Sequence, residues 1–456
     1  MNFTLQGFLY LGAAVLFIVG LKRLTSPATA RAGNRLASLG MLIAIVVTLL
    51  DSGVVSYGAV IAGLVVGGGV GAFLARTVEM TAMPQLVAAF NGFGGGASAL
   101  VALSALATEP DSDVRTLVTI GISVVIGAIT FSGSFVAFGK LQGVVSGQSV
   151  TFPGQKFADL TLAAAALVAC GLLVADGSIA WAWVVSGLAL VLGVTRTLPI
   201  GGADMPVVIS FLNSASGLAA SAAGFVIESN ALIISGALVG AAGLILTNIM
   251  VKAMNRTLGN VLFSVFGGET AGAAADDGEK VTRRATAEDV AVTMAYAERV
   301  IVVPGYGLAV AQAQHSLREL ARLLEDRGVE VRYAIHPVAG RMPGHMNVLL
   351  AEADVDYELL FDLEDINGDF PRTDVALVVG ANDVVNPSAR DDPSSSIYGM
   401  PILDVDKARN VIVIKRSLSP GFAGIDNPLF YEDNTLMFFA DAKEGIADIV
   451  SSVKDL

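Results

Sequence analysis

Residues 299–320 read RVIVVPGYGLAVAQAQHSLREL, and this stretch decides the fold that we predict for the C-terminal part of the chain. An apolar, β-branched run typical of a buried strand leads into the turn Gly305-Tyr306-Gly307. Beyond the turn, apolar residues recur near helical spacing, at Leu308, Val310, Ala311, Leu317, Leu320 and Leu324. Such a unit can place a dinucleotide pyrophosphate on the helix N-terminus. Because Val310 stands where the fingerprint has a third glycine, an ordinary turn between strand and helix is the alternative.

The composition indicates a membrane protein with one soluble domain. Of the 456 residues, 54% are hydrophobic and only 15% are charged, which is too apolar for a soluble protein of this length. Residues 1–260 carry eleven Lys and Arg against nine Asp and Glu, whereas the residues after them carry 17 against 32. The soluble part is therefore acidic. This balance argues against a nucleic-acid partner, because such a partner needs a basic surface.

Nine segments of the N-terminal part are close to the ~20 apolar residues that a helix needs to cross a bilayer. They are 5–21, 36–50, 55–75, 84–107, 116–139, 158–175, 179–195, 205–227 and 230–251. Lys and Arg fall almost entirely on one side of these spans, Lys140 among them, and only Arg115 falls on the other. The positive-inside rule then predicts a multi-pass membrane protein with its N-terminus outside and its C-terminal domain in the cytoplasm.

Polar side chains within the spans are uncharged, apart from Asp159 and Asp204 near span ends. The uncharged ones are Asn91, Thr130, Ser132, Ser134, Asn213, Ser214, Ser216 and Asn248. These groups can form hydrogen bonds between helices, or they can line a hydrated path for protons. Asp204 is followed by Met and Pro, so it is also suited to cap the next helix. All three His lie in the soluble part, which excludes intramembrane haem ligation by His.

The residues after the last span predict a linker and then an α/β domain. Residues 261–290 form the linker, with Thr286 at the cap of a short helix near its end. Strands at 299–303, 329–335, 358–362, 373–379, 410–414 and 435–440 alternate with helices such as 343–353 and 443–454. This alternation is typical of a doubly wound, Rossmann-like sheet. We therefore predict a polytopic α-helical membrane domain, residues 1–260, followed by a soluble α/β domain, residues 291–456.

The residues near two strand ends favour one dinucleotide over the other. An NAD site has a carboxylate at the end of the second strand, where this chain has His336. Lys415, Arg416 and Ser417 follow a later strand, and this combination suits the 2′-phosphate of NADP. The alternative is that these three residues only form a solvated end of the strand.

Three glycine-bearing loops follow strands at the same predicted edge. They are residues 338–344, 380–385 and 419–425. Ligands gather at the carboxyl ends of strands in open α/β sheets, so these loops are candidates for ligand contacts. The last loop has the glycine spacing of a mobile lid, although a plain surface turn would have a similar sequence.

The chain resembles the β subunit of the bacterial proton-translocating NAD(P) transhydrogenase along essentially its whole length. The motifs that carry the resemblance are GGADMPVVISFLNS at 201–214, VPGYGLAVAQAQ at 303–314, AGRMPGHMNVLLAEA at 339–353, GANDVVNP at 380–387, KRS at 415–417 and GFAGIDNPLF at 421–430. The resemblance implies nine transmembrane helices and a cytoplasmic domain that binds NADP(H) in an orientation reversed from the usual Rossmann mode.

The resemblance also implies which residues bind the cofactor. Residues 305–310 cover the nucleotide, Arg341 and Asp383 lie beside the pyrophosphate and the nicotinamide, residues 415–417 hold the 2′-phosphate, and the 421–425 loop closes over it. The implied set is Gly305, Tyr306, Gly307, Leu308, Ala309, Val310, Val338, Ala339, Gly340, Arg341, Met342, Pro343, Gly344, Gly380, Ala381, Asn382, Asp383, Val384, Lys415, Arg416, Ser417, Gly421, Phe422, Ala423 and Gly424. Phe422 departs from the family, in which a Tyr is common at this position.

In the membrane part, the resemblance implies a proton path through Asn91, Asp204 and Asn213, with Arg256 coupling this part to the linker. Asn91 is a second departure, because many relatives have a His there. Since Asn cannot titrate, the proton-binding group is expected elsewhere, for example on a helix of a partner subunit.

The leading hypothesis is an enzyme subunit that couples hydride transfer between NADH and NADP+ to inward proton movement. A single dinucleotide fingerprint implies that NAD(H) binds to a partner α subunit, and the resemblance implies a dimer of αβ units in the lipid bilayer. Neither a catalytic acid or base nor a metal is expected, because two nicotinamides react directly when they are held close. The alternative hypothesis is a transporter or channel regulated by a cytoplasmic NADPH-sensing domain.

Overall fold

The computed structural model of the chain describes every residue except 1–2, 25–26, 51–56, 80–81, 110–111, 263–280 and 343. Most of the predicted linker therefore lies outside the described residues. The chain divides into two compact units, one made of Met1–Gly202 with Val208–Thr247 and the other of Ala203–Val207 with Asn248–Leu456. Each unit contains buried apolar clusters of its own and is described by itself.

Nine helices in the described part of the chain are long and apolar enough to cross a membrane, which confirms the number of spans predicted from the sequence. Their bounds are α1 Phe3–Leu24, α2 Pro27–Leu49, α3 Tyr57–Thr77, α4 Met83–Thr108, α5 Val114–Leu141, α6 Gln155–Asp176, α7 Ile179–Thr197, α8 Met205–Val226 and α9 Asn230–Ala253. The largest difference is in α2, which begins well before the predicted span at residue 36. Its first turns carry Arg31 and Arg35, which a span search based on apolar residues alone leaves out.

Helices α4 and α5 pack closely because glycine removes the side chain where they meet. A Cβ at Gly95 would lie 2.8 Å from both the carbonyl oxygen of Gly127 and the Cβ of Thr130. Small residues at such contacts let the backbones of membrane helices approach. Helix α3 is the contrast, because none of its described residues is buried and a Cβ at Gly67 would meet open space.

Lys140 lies at the end of α5 and is only 5% exposed. Its Nζ donates to the carbonyl oxygens of Gln148 at 2.9 Å, Leu198 at 2.6 Å and Ile200 at 2.9 Å. Three acceptors satisfy the three donors of an ammonium group. The sequence indicated Lys140 only as a marker of orientation, whereas the structure shows that it ties the end of α5 to two other segments of the chain.

The second unit contains shorter helices and six strands. The helices are α10 Leu258–Leu262, α11 Ala287–Ala295, α12 Tyr306–Val310, α13 Gln314–Asp326, α14 His345–Glu352, α15 Leu363–Ile366, α16 Ser388–Asp391 and α17 Ala442–Asp455. The strands are β1 Arg299–Pro304, β2 Glu330–Ile335, β3 Leu360–Asp362, β4 Val375–Val379, β5 Asn410–Lys415 and β6 Thr435–Phe439. Thr286 caps α11 as predicted, through a reciprocal capping box with Asp289. Strand β3 is shorter than predicted because Tyr357–Leu359 form a 3-10 turn.

All six strands are parallel and lie in the order β3-β2-β1-β4-β5-β6. This order is that of a doubly wound, Rossmann-like sheet, so the predicted fold class is confirmed. Along β1, Val300 and Val302 pack into one apolar cluster, while Ile301 and Val303 pack into the other. Because both faces of the sheet are covered, the strand is apolar at every position and does not alternate.

The helix after the glycine turn is interrupted, contrary to the single helix predicted from its apolar spacing. Helix α12 ends at Val310 and α13 begins at Gln314, with Gln312 between them at φ +50°. In one continuous helix Leu308 and Leu317 would lie on opposite faces, because nine residues make roughly two and a half turns. The break lets both side chains enter the same core.

Candidate functional site

Four loops that carry the predicted binding residues follow β1, β2, β4 and β5. We call them the edge loops, and they comprise residues 305–310, 336–344, 380–385 and 415–425. Because the strands are parallel, their carboxyl ends meet at one edge of the sheet. Strands β1 and β4 are neighbours at the point where the strand order reverses, which is where ligands bind in open α/β sheets.

Glycines bring the edge loop after β1 (residues 305–310) into backbone contact with the edge loop after β4 (residues 380–385). The N–H of Gly305 donates to the carbonyl of Val379, and the N–H of Gly307 donates to that of Gly380, both at 2.9 Å. A Cβ at Gly305 would overlap the backbone of Ala381, and one at Gly307 would lie 2.7 Å from the Cα of Gly380. The two glycines are therefore required by loop packing. This requirement differs from the sequence interpretation, in which they served the turn and the approach of a pyrophosphate.

Tyr306 is the point at which three edge loops meet. The guanidinium carbon of Arg341 lies 4.5 Å from the centre of the Tyr306 ring, and the ring of Phe422 lies 5.8 Å away, centre to centre. Such cation–π and aromatic contacts stabilise by about 0.5–1.5 kcal/mol each. The spacing of these residues in the sequence gives no sign of this contact.

Asp383 connects the third edge loop to the predicted lid. Its Oδ2 accepts from the N–H of Ala423 at 3.0 Å, and the backbone of Gly421 packs directly against its carboxylate. Burial raises the pKa of this carboxyl, while backbone hydrogen bonds from Ala423 and Phe422 oppose that rise. The carboxylate therefore holds the 421–425 segment against the sheet edge.

Lys415 is half-buried, whereas Arg416 and Ser417 are exposed. The Nζ of Lys415 donates to the carbonyl of Ser419 and lies 4.7 Å from the centre of the Phe430 ring. Burial lowers the pKa of Lys415, and the charge of Asp383 opposes that shift. Of the three residues predicted to hold a phosphate, Arg416 is thus open to a ligand, whereas Lys415 and the Ser417 hydroxyl, which pairs with that of Ser419 at 2.9 Å, also make contacts within their own loop.

Two histidines, one at the start of the second edge loop and one directly after it, were not predicted as site residues. His336 is buried, its Nδ1 accepts from the N–H of Val338 at 3.2 Å, and its Nε2 lies 2.7 Å from the carbonyl of Pro401. His345 is also buried, and its Nδ1 accepts from the N–H of Arg341 at 3.0 Å. Burial lowers the pKa of each imidazole to about 4, so both are neutral at physiological pH.

The other residues predicted to bind the cofactor lie in the same loops. Leu308 and Ala309 are buried in the core and can offer only backbone groups, Val310 is exposed, and Pro343 lies outside the described residues. The rest are Val338, Ala339, Gly340, Met342 and Gly344 in the second loop, Ala381, Asn382 and Val384 in the third, and Gly424 in the fourth.

The charges at this edge fit a dinucleotide phosphate. Arg341, Lys415 and Arg416 bring three cations to two of the loops, and guanidinium groups bind phosphate oxygens in pairs. The Oδ1 of Asp383 is buried and has no hydrogen-bond partner in the described chain. A carboxylate oxygen is an acceptor, so a donor such as water or an amide N–H, and not a phosphate, would complete it.

In the membrane part, Asn91 and α8 are joined directly. Asn91 is buried in α4, and its Nδ2 donates to the carbonyl of Ile209 at 3.1 Å. Asn213 is half-buried one turn further along α8. The hydroxyls of Thr130 and Ser134 on α5 are buried without a partner among the described residues. Buried hydroxyls are usually hydrogen-bonded, so water is a suitable partner for these two.

Asp204 forms an ion pair that the sequence did not indicate. Both of its carboxylate oxygens accept from Nη1 of Arg256, at 3.0 and 2.9 Å. Asp204 is 7% exposed, and the Arg256 side chain is 40% exposed. The carboxylate therefore has an ion-pair partner, in addition to a position suited to capping α8.

Comparison with known proteins gives one consistent result. The family model of the NAD(P) transhydrogenase beta subunit matches residues 6–452. Two relatives from Rhodospirillum rubrum, one of them from a designated strain, carry the name NAD(P) transhydrogenase subunit beta and are 50% identical to this chain over 464 aligned residues. Each alignment covers 99% of this chain and 100% of the relative. The chain therefore belongs to the NAD(P) transhydrogenase beta subunit family.

Proposed function

We propose that this chain binds NADP(H) at the edge loops and couples hydride transfer between NADH and NADP+ to inward proton movement. The observation that carries the proposal is the meeting of three edge loops on Tyr306, beside Arg341 and at the reversal point of the sheet. Residues 1–260 would form the proton-translocating domain, residues 261–290 the linker and residues 291–456 the NADP(H)-binding domain.

The residues of the chain would bind and orient the cofactor. Arg416 and Ser417, with Lys415, would hold the 2′-phosphate through charge-assisted hydrogen bonds. Arg341 and Asp383 would flank the pyrophosphate and the nicotinamide, and the 421–425 lid would exclude water. Bound NADPH or NADP+ supplies the hydride chemistry at its nicotinamide. No side chain needs to act as acid or base, because two nicotinamides held close react directly.

The proton path would run past Asn91, Asn213 and the hydroxyls of Thr130 and Ser134. Asn91 cannot titrate, so it would orient water and not carry charge. Asp204 immediately precedes α8, the helix that carries Asn213, and its pair with Arg256 would couple proton movement to the nucleotide domain.

Membership in the family implies that the chain acts with an alpha subunit, and it does not favour the transporter or channel alternative. We propose that the alpha subunit carries the NAD(H) site, because this chain has one dinucleotide fingerprint. We further propose a dimer of αβ units in the bilayer, with the N-terminus outside and the nucleotide domain in the cytoplasm. The distribution of Lys and Arg supports this orientation.

The partner assignment is tested by comparing the purified chain with the assembled enzyme. The chain alone should bind NADPH in a calorimetric titration, yet it should not reduce NADP+ with NADH. Addition of the alpha subunit should restore the reaction. Robust transhydrogenation by the isolated chain would contradict the proposal, and so would a failure to bind NADPH.

A further inference from the structure

We propose that His345 is a positioning residue of the nucleotide site, whose imidazole fixes the turn at Gly340 and Arg341 and thereby the location of the Arg341 guanidinium. This inference rests on the proposed function, in which Arg341 contacts NADP(H). It adds a residue outside the set that the family resemblance implies.

The ring is built into the turn that it holds. Its Nδ1 accepts the N–H of Arg341 at 3.0 Å, and a Cβ added at Gly340 would overlap the imidazole. Gly340 has φ +107°, a conformation that other residues rarely adopt. His345 is also the first residue of α14, and the next residue, Met346, is 1% exposed in the core. The imidazole therefore connects a turn that requires glycine to a helix that is anchored in the core.

Arg341 is held at two points as a result. His345 holds its backbone, and the Tyr306 ring holds its guanidinium at 4.5 Å. The rings of His345 and Tyr306 are themselves 6.3 Å apart, centre to centre. Loss of the backbone contact would release the turn at Arg341 from the imidazole, so the guanidinium charge would lose a defined position for a phosphate oxygen.

The second ring nitrogen distinguishes this role from simple packing. Because Nδ1 accepts a hydrogen bond, the neutral ring carries its proton on Nε2, and Nε2 is buried without a partner in the described chain. His336 differs, because both of its ring nitrogens have hydrogen-bond partners. An unpaired buried donor is unfavourable for stability, which indicates that His345 is suited to placing Arg341 and not to stabilising the core.

The test is a double-mutant cycle on the purified full-length chain, with the dissociation constant for NADPH measured by calorimetry. His345→Leu removes the acceptor at similar volume, His345→Asn keeps an oxygen near the position of Nδ1, and Arg341→Ala removes the guanidinium. We expect about a tenfold weaker affinity for His345→Leu, little change for His345→Asn, and a clear loss for Arg341→Ala. In the Arg341→Ala background, His345→Leu should cause no further loss, because its effect passes through Arg341.

Each other outcome is decisive. A loss in Arg341→Ala with unchanged affinity in His345→Leu would overturn the positioning role and leave the proposed NADP(H) site standing. Additive losses in the double variant would also overturn it, because His345 would then act independently of Arg341. Unchanged affinity in Arg341→Ala would show that Arg341 does not contact NADPH. His345 could then not act through Arg341, and its positioning role would be overturned. If His345→Leu does not fold, His345→Phe takes its place in the same cycle.

Discussion

At the scale of single residues, Arg416 allows the sharpest test of cofactor selectivity. It is exposed at the end of β5, and a guanidinium there suits a 2′-phosphate. Arg416→Ala should weaken NADPH binding about ten- to a hundredfold, because a charge-assisted contact contributes roughly 1.5–3 kcal/mol, and should leave NADH binding nearly unchanged. Calorimetry with both nucleotides measures this difference.

The matched control for Arg416 is Arg409→Ala. Arg409 precedes β5, at the opposite edge of the sheet, and its Nη1 pairs with Asp374 at 2.7 Å. Its loss removes the same charge without touching the edge loops, so NADPH affinity should stay at the wild-type value. Equal losses for both nucleotides in Arg416→Ala would show that this residue does not distinguish the phosphate.

A second residue-scale prediction concerns pH. The pKa of His336 falls to about 4 in the folded state because of burial, whereas an unfolded histidine titrates near 6.5. Between these values the unfolded chain binds more protons, so stability falls as pH falls from about 6.5 towards 4 and is unaffected by this group above that range. The contribution of His336 to this loss should approach about 3 kcal/mol, and His345, whose pKa is also lowered to about 4, adds to it. Urea unfolding of residues 281–456 measures it, and His336→Asn should flatten part of the slope.

At the scale of elements, the turn after β4 has no room for a side chain at Gly380. Its φ is +67°, and a Cβ there would overlap the backbone N of Leu308. Gly380→Ala should therefore destabilise the soluble part by about 3 kcal/mol or more and abolish NADPH binding. Gly328→Ala is the control, because Gly328 has φ +87° but opens onto free space. It should cost only about 1–2 kcal/mol. Similar urea midpoints for the two variants would contradict the packing argument.

The sequence predicted elements where local pattern is sufficient. Nine spans follow from apolar length, and the parallel sheet follows from the alternation of strands and helices. The break at Gln312 was missed because apolar residues on each side of it recur near helical spacing, although the change of face between Leu308 and Leu317 is a sign of it. The buried setting of Lys140 was missed because its three acceptors are backbone carbonyls, which leave no signature in the sequence.

At the scale of the whole molecule, the sequence indicated the edge loops but not their contacts. The parallel order of the strands follows from alternation, so the four loops could be placed on one edge in advance. Their meeting at Tyr306 depends on side-chain directions that no spacing encodes. The pair of Asp204 with Arg256 likewise joins residues 52 positions apart.

Asp204 carries the prediction about coupling. Asp204→Asn keeps the shape of the side chain and one acceptor for Arg256, but it removes the charge from a pair in which both carboxylate oxygens accept from Nη1. If Asp204 only caps α8, the change should be nearly silent, because Asn caps about as well as Asp. If its charge takes part in proton transfer or biases the nucleotide domain, transhydrogenation and proton pumping should both fall at least about tenfold, while NADPH affinity of the chain alone stays unchanged.

The assembled enzyme in proteoliposomes with an internal pH-sensitive dye reports both activities. Asp159→Asn is the matched control, since Asp159 is another buried carboxylate near the end of a span, with Arg196 at 3.5 Å. Its effect on pumping should be small, because no proposed step of the proton path uses it. Asp204→Glu restores the charge on a longer side chain and should recover part of the activity that Asp204→Asn loses. Wild-type pumping in Asp204→Asn would return Asp204 to the role of a helix cap and would leave the ion pair with Arg256 a structural contact.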